Sequence, residues 1–172
     1  EMGELGLLGP TIPTEYGGLG LSQLMYTKAI GLVTSQDGSL TALLSAAQSI
    51  GVPTPLKLFG TPEQKKKYLP RLAKGAISAF ALTESNVGSD PAGLATHAEL
   101  SADGTHYVLN GEKLWCTNGT VAELYVVMAR TSGKKITAFI VERDWPGVEV
   151  VHRLRFMGLK AIENGVIRFT NV

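Results

Sequence analysis

The chain holds one cysteine, Cys116, and three histidines, His97, His106 and His152, among its 172 residues. A single thiol excludes an intramolecular disulfide framework. The histidines show no H-x-x-x-H spacing and have no cysteine partner, so the sequence supplies no metal-ligand set. Charge of one sign is missing too: 16 Lys and Arg against 15 Asp and Glu leave a net charge of +1. Bulk charge therefore points neither to nucleic acid nor to an anionic membrane surface. No apolar run reaches the ~20 residues of a membrane-spanning helix. The first residues carry no secretory signal pattern. A G-x-S-x-G elbow, a P-loop and a G-x-G-x-x-G fingerprint are all absent, which disfavours a Rossmann-type cofactor site.

What is present is an ordinary globular composition, 44% apolar and 18% charged, on a chain long enough to bury a real core. Its two parts differ in period. Residues 1–75 read as mostly helical and 76–172 as mostly strands. The opening, to Gly20, is loop-like, broken by glycine and proline. Ser22 can cap a helix running to about Val33. Leu40 to Ile50 reads as a helix buried on several sides, and Pro53 starts a short one. Thr61-Pro-Glu-Gln64 is the clearest helix start, with a cap, proline at the first helical position and a capping box. That helix should stop at Gly75, and Pro70 should kink or interrupt it. Lys65-Lys-Lys67 reads as a solvated face.

From Ala76 the period moves toward two, with candidate strands at 77–83, 96–100, 107–114, 124–130, 136–142, 148–151 and 166–169. Turn residues punctuate them at Asp103-Gly104, Asn110-Gly111, Ser132-Gly133 and Pro146-Gly147. The expected class is α+β: a helical N-terminal part (1–75) followed by a small antiparallel β-barrel or sandwich (76–172). The start at Glu1-Met2 and the strand-like end, Phe169-Thr-Asn-Val172, are what a piece of a longer chain would show.

Two stretches carry chemistry. In Phe80-Ala-Leu-Thr-Glu-Ser-Asn-Val-Gly-Ser-Asp90 a strand-like lead runs into a polar turn with Gly88 and Ser89 at its tip. Extended backbone groups, a close approach and a hydroxyl follow in order, which suits a planar polar heterocycle with a phosphate tail. In Asn110-Gly-Glu-Lys-Leu-Trp-Cys-Thr-Asn-Gly119, Trp115 stands two positions from Thr117, on one face if the backbone is extended. Each part alone is ordinary: a G-S-D turn, an N-G hairpin signal, a core tryptophan. Cys116 has no neighbouring base and reads as a packed small hydrophobe.

Together with two N-terminal elements, Pro13-Thr-Glu-Tyr-Gly-Gly-Leu-Gly20 and the stretch from Gly60 to Gly75, these segments resemble the acyl-CoA dehydrogenase family over the whole chain. Ala81 to Asp90 and Asn110 to Gly119 look like its two signatures. Ser39 to Ser45 and Leu56 to Gly60 look similar to the very-long-chain branch. In the departures, Ser85 and Asn86 replace a Pro-Gly, which Asn tolerates by accepting left-handed backbone. Cys116 stands where Ile or Ser is usual, and Phe80 where Tyr is common.

The resemblance implies FAD as cofactor and α,β-dehydrogenation of a fatty acyl-CoA, with electrons passed to an electron-transfer flavoprotein. It assigns Phe80, Leu82, Thr83, Gly88, Ser89, Trp115, Cys116 and Thr117 to the cofactor, and Ser89 also to the acyl-CoA. Leu82 and Thr83 would face the pyrimidine end of the flavin, Trp115 would flank the ring and Thr117 would sit near N5 or O4. Glu84 reads as structural. The resemblance places the catalytic base in a C-terminal helical bundle beyond Val172, so no catalytic residue is expected within this chain. It implies a homodimer or homotetramer, in a bacterial cytoplasm or a mitochondrial matrix. Relatives with changed chemistry, an acyl-CoA oxidase or a nitroalkane oxidase, stay open, as does a non-catalytic assembly protein.

Overall fold

The computed structural model describes residues 2–49, 51–133 and 135–172. Its first half is helical, as the periodicity implies. Helix α1 (Gln23–Thr34) is capped by the Ser22 hydroxyl, which accepts from the Met25 amide at 3.4 Å. Helix α2 (Gly38–Ala42) begins at Asp37, whose carboxylate accepts from the Ser39 and Leu40 amides. It does not continue as the single α-helix expected over 40–50. A π-helical stretch takes over at Leu43–Ser49, where the Ser49 hydroxyl donates to the Leu44 carbonyl, five residues back. Ile50 lies outside the described residues.

Helix α3 (Pro53–Phe59) is followed by α4 (Pro62–Lys74), which opens with both halves of the Thr61/Gln64 capping box and closes at Gly75. Of the two expected effects, kink or interruption, Pro70 does not produce the second: α4 continues through it. Proline in a helix costs ~3 kcal/mol. Burial of Tyr68, Leu69, Leu72 and Ala73 on the same helix offsets it, since each large apolar side chain stabilises by about 1.5–3 kcal/mol.

Seven strands follow: β1 (Ser78–Ala81), β2 (His97–Leu100), β3 (Tyr107–Cys116), β4 (Leu124–Arg130), β5 (Ile136–Glu142), β6 (Val148–Arg153) and β7 (Gly165–Phe169). They run in the order β1-β4-β2-β3-β7-β6, with β5 added to β4. The class is α+β as expected. The sheet is mixed: β1 and β2 pair with β4 in parallel, and the remaining pairings are antiparallel.

Strand β4 explains how the two halves cohere. Alternate residues point to opposite faces, and both faces of β4 are covered. Leu124 and Val126 pack with Ile12, Val52, Leu56, Leu69 and Leu72 of the helical part. Tyr125, Val127 and Ala129 pack with Leu109, Cys116, Ile167 and Phe169 inside the sheet. A polar tie reinforces this. The Glu142 carboxylate at the end of β5 accepts from Lys67 (2.8 Å), Tyr68 (3.2 Å) and Arg71 (2.8 Å) of α4. Lys67 is thus an anchor rather than part of a purely solvated face.

The Asn110-Gly111 pair is not a turn. Strand β3 runs straight through it and changes partner there, from β2 (His97 opposite Asn110) to β7 (Gly111 opposite Phe169). Glycine is required because φ is +152° and a Cβ would stand 2.7 Å from the Thr96 Cα.

Candidate flavin site

Beyond Ala81 the chain leaves β1, an end strand of the sheet, and enters a turn held from two sides. Glu84 and Val87 exchange backbone hydrogen bonds at 3.0 and 3.1 Å, closing the Ser85-Asn86 loop. Asn86 is not left-handed; among non-glycine residues positive φ falls on Trp115, Asn118, Leu159 and Asn171. The Glu84 carboxylate accepts from the Ala95 amide (2.7 Å), the Thr96 amide (3.0 Å) and Lys113 Nζ (2.8 Å). Glu84 is therefore structural, as its place in the turn implied. Burial pushes its carboxyl up, and these donors more than offset that, leaving it below the ordinary range.

Lys113 reaches the same place from β3 with its side chain fully buried. Burial pulls the ammonium below its ordinary range, and Glu84 opposes the fall. Its Nζ also donates to the Leu82 carbonyl at 3.0 Å. One residue on, the Leu114 amide donates to the Thr83 carbonyl at 2.8 Å. The half-buried Leu82-Thr83 segment is thereby fixed against β3. Phe80, one position inside β1, is half-buried against the helical core.

The second segment departs from a regular strand. The pairing of β3 with β7 shifts register between Lys113 and Cys116, and Trp115 takes φ +58°. Trp115 and Thr117 therefore do not share a face by simple alternation. The bulge turns the indole outward, 49% exposed, with its ring 5.4 Å from that of Phe156. Cys116 points the other way, into the core at 1% exposure. Burial pushes its thiol up to about 12, so any contact it makes with a ligand is through its backbone.

The Thr117 hydroxyl accepts from Asn164 Nδ2 at 3.3 Å, and the same nitrogen donates to the Trp115 carbonyl at 3.3 Å. Asn164 is buried and its Oδ1 has no partner. Accepting from Asn164 leaves the Thr117 hydroxyl its own proton to donate to another group. No local sequence signal marks Asn164, which meets Trp115 and Thr117 only across 49 and 47 residues of chain.

Gly88 and Ser89 are exposed on the loop between β1 and β2. A side chain at Gly88 would meet nothing within 4 Å, so packing within the chain does not require glycine there. Asp90 caps the short 3-10 turn Pro91–Gly93 through the Ala92 amide at 3.0 Å. Phe156, the ring neighbour of Trp115, lines a basic cleft of about 330 Å³ with Arg153, Arg155 and Lys160. In it Arg153 is held by Glu163 (3.2 Å) and the Lys160 carbonyl (2.9 Å). Among the described residues no group of His, Cys, Asp and Glu could hold a metal ion, and no helix is long and apolar enough to cross a membrane.

A fixed peptide just beyond β1, an outward tryptophan and a hydroxyl that accepts from Asn164 are thus tied together through Leu114 and Asn164. The sequence matches the family models "Acyl-CoA dehydrogenase, N-terminal domain" over residues 1–76 and "Acyl-CoA dehydrogenase, middle domain" over residues 79–172. The chain belongs to the acyl-CoA dehydrogenase family. It is 56% identical over 176 residues to the probable acyl-CoA dehydrogenase FadE10 of Mycobacterium tuberculosis, covering 99% of this chain and 27% of that protein. It is 42% identical to the mitochondrial very long-chain specific acyl-CoA dehydrogenase of Rattus norvegicus, with 98% and 27% covered. Among solved structures, an acyl-CoA dehydrogenase complexed with FAD from Bacillus anthracis superposes with a TM-score of 0.93 at 44% identity, covering 99% of this chain and 30% of that one. The chain thus spans about a quarter of the length of the curated relatives it matches.

Proposed function

We propose that this chain forms the flavin- and thioester-binding part of an FAD-dependent acyl-CoA dehydrogenase. The enzyme would convert fatty acyl-CoA to the trans-2-enoyl-CoA and pass electrons to an electron-transfer flavoprotein. In this reading residues 1–75 belong to an N-terminal helical domain and 76–172 to the central flavin domain. One observation carries it: Leu82-Thr83 and, some thirty residues on, Trp115 and Thr117 are tied into one constellation by Lys113, Leu114 and Asn164.

The donor set fits a flavin. Bound FAD would supply the two-electron acceptor. The Leu82-Thr83 backbone would present its edge to the polar rim of such a ring, the Trp115 indole would offer a flat wall, and the Thr117 hydroxyl would donate to a ring heteroatom. Fixed donors near developing negative charge stabilise the reduced form. Phe80 would line the same edge, Cys116 would contribute backbone only, and Gly88 and Ser89 would meet the pyrophosphate, with Ser89 also near the acyl-CoA.

None of the constrained carboxylates suits proton abstraction. Glu84 is engaged by an ammonium and two amides, and Glu142 is held at about 2. A general base needs a pKa near the working pH; it is the family resemblance that places that base outside residues 1–172. It takes the assembled enzyme as a homodimer or homotetramer.

The test uses the full-length protein. It should bind FAD, and anaerobic addition of a long-chain acyl-CoA should bleach the flavin band. Electron-transfer flavoprotein or a dye should reoxidise it faster than air. Failure to bind FAD on reconstitution would overturn the flavin reading. Rapid reoxidation by air would make the protein an oxidase instead.

A further inference from the structure

We propose that Lys113 is a positioning residue: its buried ammonium polarises the Leu82-Thr83 peptide toward the bound ligand and so sets how strongly the site favours reduced over oxidised flavin. The inference rests on the flavin reading above.

A lysine with no exposed side-chain surface, inside a ten-residue strand, needs a reason. Burying an ammonium costs several kcal/mol, and a well-packed apolar pair often does as well for stability as a buried ion pair. What an apolar residue could not do is donate to the Leu82 carbonyl. Lys113 does so at 3.0 Å while holding Glu84 at 2.8 Å.

The Leu82 C=O and the Thr83 N–H are the two ends of one peptide unit. No cis bond occurs among the described residues, so in this trans peptide they point in opposite directions. A cation at the oxygen end withdraws electron density through the amide and makes the N–H at the other end a stronger donor. Hydrogen bonds in series polarise one another in this way, and low local dielectric enlarges the effect.

The Leu114 amide on the Thr83 carbonyl (2.8 Å) and the Glu84/Val87 pair stop the peptide from rotating away. Glu84 is then more than a counter-ion. Its negative charge opposes the field of Lys113, and the Ala95 and Thr96 amides (2.7 and 3.0 Å) absorb part of it. Lys113 and Glu84 should therefore act on the flavin with opposite signs, although both support the same turn.

Opposite sign separates positioning from support. In the full-length holoprotein the two-electron potential of bound FAD is measured by equilibration with a reference dye. Lys113→Met should lower the preference for reduced over oxidised FAD by about tenfold, a fall of about 30 mV for a two-electron couple. Glu84→Gln should raise the potential.

If Lys113→Met alone fails to fold, the double variant Glu84→Gln/Lys113→Met, with both buried charges removed, is compared with Glu84→Gln. The added substitution should again lower the potential. Shifts in the same direction for both single variants, or an unchanged potential when Lys113 is lost, would overturn the inference while leaving the flavin reading intact. Absence of FAD from the wild-type protein would sink the flavin reading itself.

Discussion

Replacing Glu142 by glutamine should loosen the helical part from the sheet by an amount that depends on pH. Hydrogen bonds from Lys67 and then Arg71 hold this carboxyl at about 2, against an ordinary 4.5. At 1.36 kcal/mol per unit the full shift would correspond to ~3.4 kcal/mol. The Lys67 and Arg71 side chains are 56% and 37% exposed, so solvent screening reduces the expected contribution to about 1–2 kcal/mol. The group is depressed in the folded state. Its contribution is therefore complete above about 4.5, where the unfolded carboxyl is ionised, and is lost as pH falls toward about 2.

The assay is urea unfolding of wild type and Glu142→Gln side by side. For a slope near ~2 kcal/mol/M, the variant midpoint should lie about 0.5–1 M lower at neutral pH. That gap should close on acidification. Asp103, also held at about 2, titrates in both proteins and cancels from the difference. A gap that stays constant from neutral pH to pH ~3, or widens, would refute the assignment of the tie to charge.

Two further outcomes follow from the packing. Gly111→Ala should destabilise by about 2–4 kcal/mol, since the substitution meets both an unfavourable φ and a backbone obstacle. Trimming Thr96 to alanine should not rescue it, because the Thr96 Cα itself lies 2.7 Å from the new Cβ; a rescue in the melting temperature would show the clash to be hydroxyl-borne. Cys116 should resist iodoacetamide in the folded protein at pH ~8, because the thiolate is the nucleophile and burial pushes this thiol up to about 12. Alkylation detected by mass spectrometry at the rate of the urea-unfolded chain would contradict its burial.

The elements whose signals lie within a turn of chain were legible beforehand. The Thr61 capping box and the Gly75 stop are contacts over three or four residues. The strands Leu124–Arg130 and Ile136–Glu142 were readable from apolar content and turn punctuation. That α4 would run on through Pro70 was not legible, because its local penalty is visible in sequence and the burial that offsets it is not. The same holds for Asn110-Gly111: the pair carries the composition of a hairpin, and only the approach of Thr96 shows that the glycine serves a strand changing partners.

By itself the sequence determined the α+β class, the starts of α1, α3 and α4, the order of strands along the chain and the family signatures from Ala81 to Asp90 and from Asn110 to Gly119. The tertiary structure alone decided how those signatures are held. Lys113 meets Glu84 across 29 residues, and Asn164 meets Trp115 across 49. Periodicity and capping rules describe neighbours along the backbone. Which buried lysine finds which carbonyl depends on sheet order and register, and these are settled by packing on both faces of β4. The bulge that turns Trp115 outward and Cys116 inward is likewise a property of the β3–β7 pairing, written in neither strand alone.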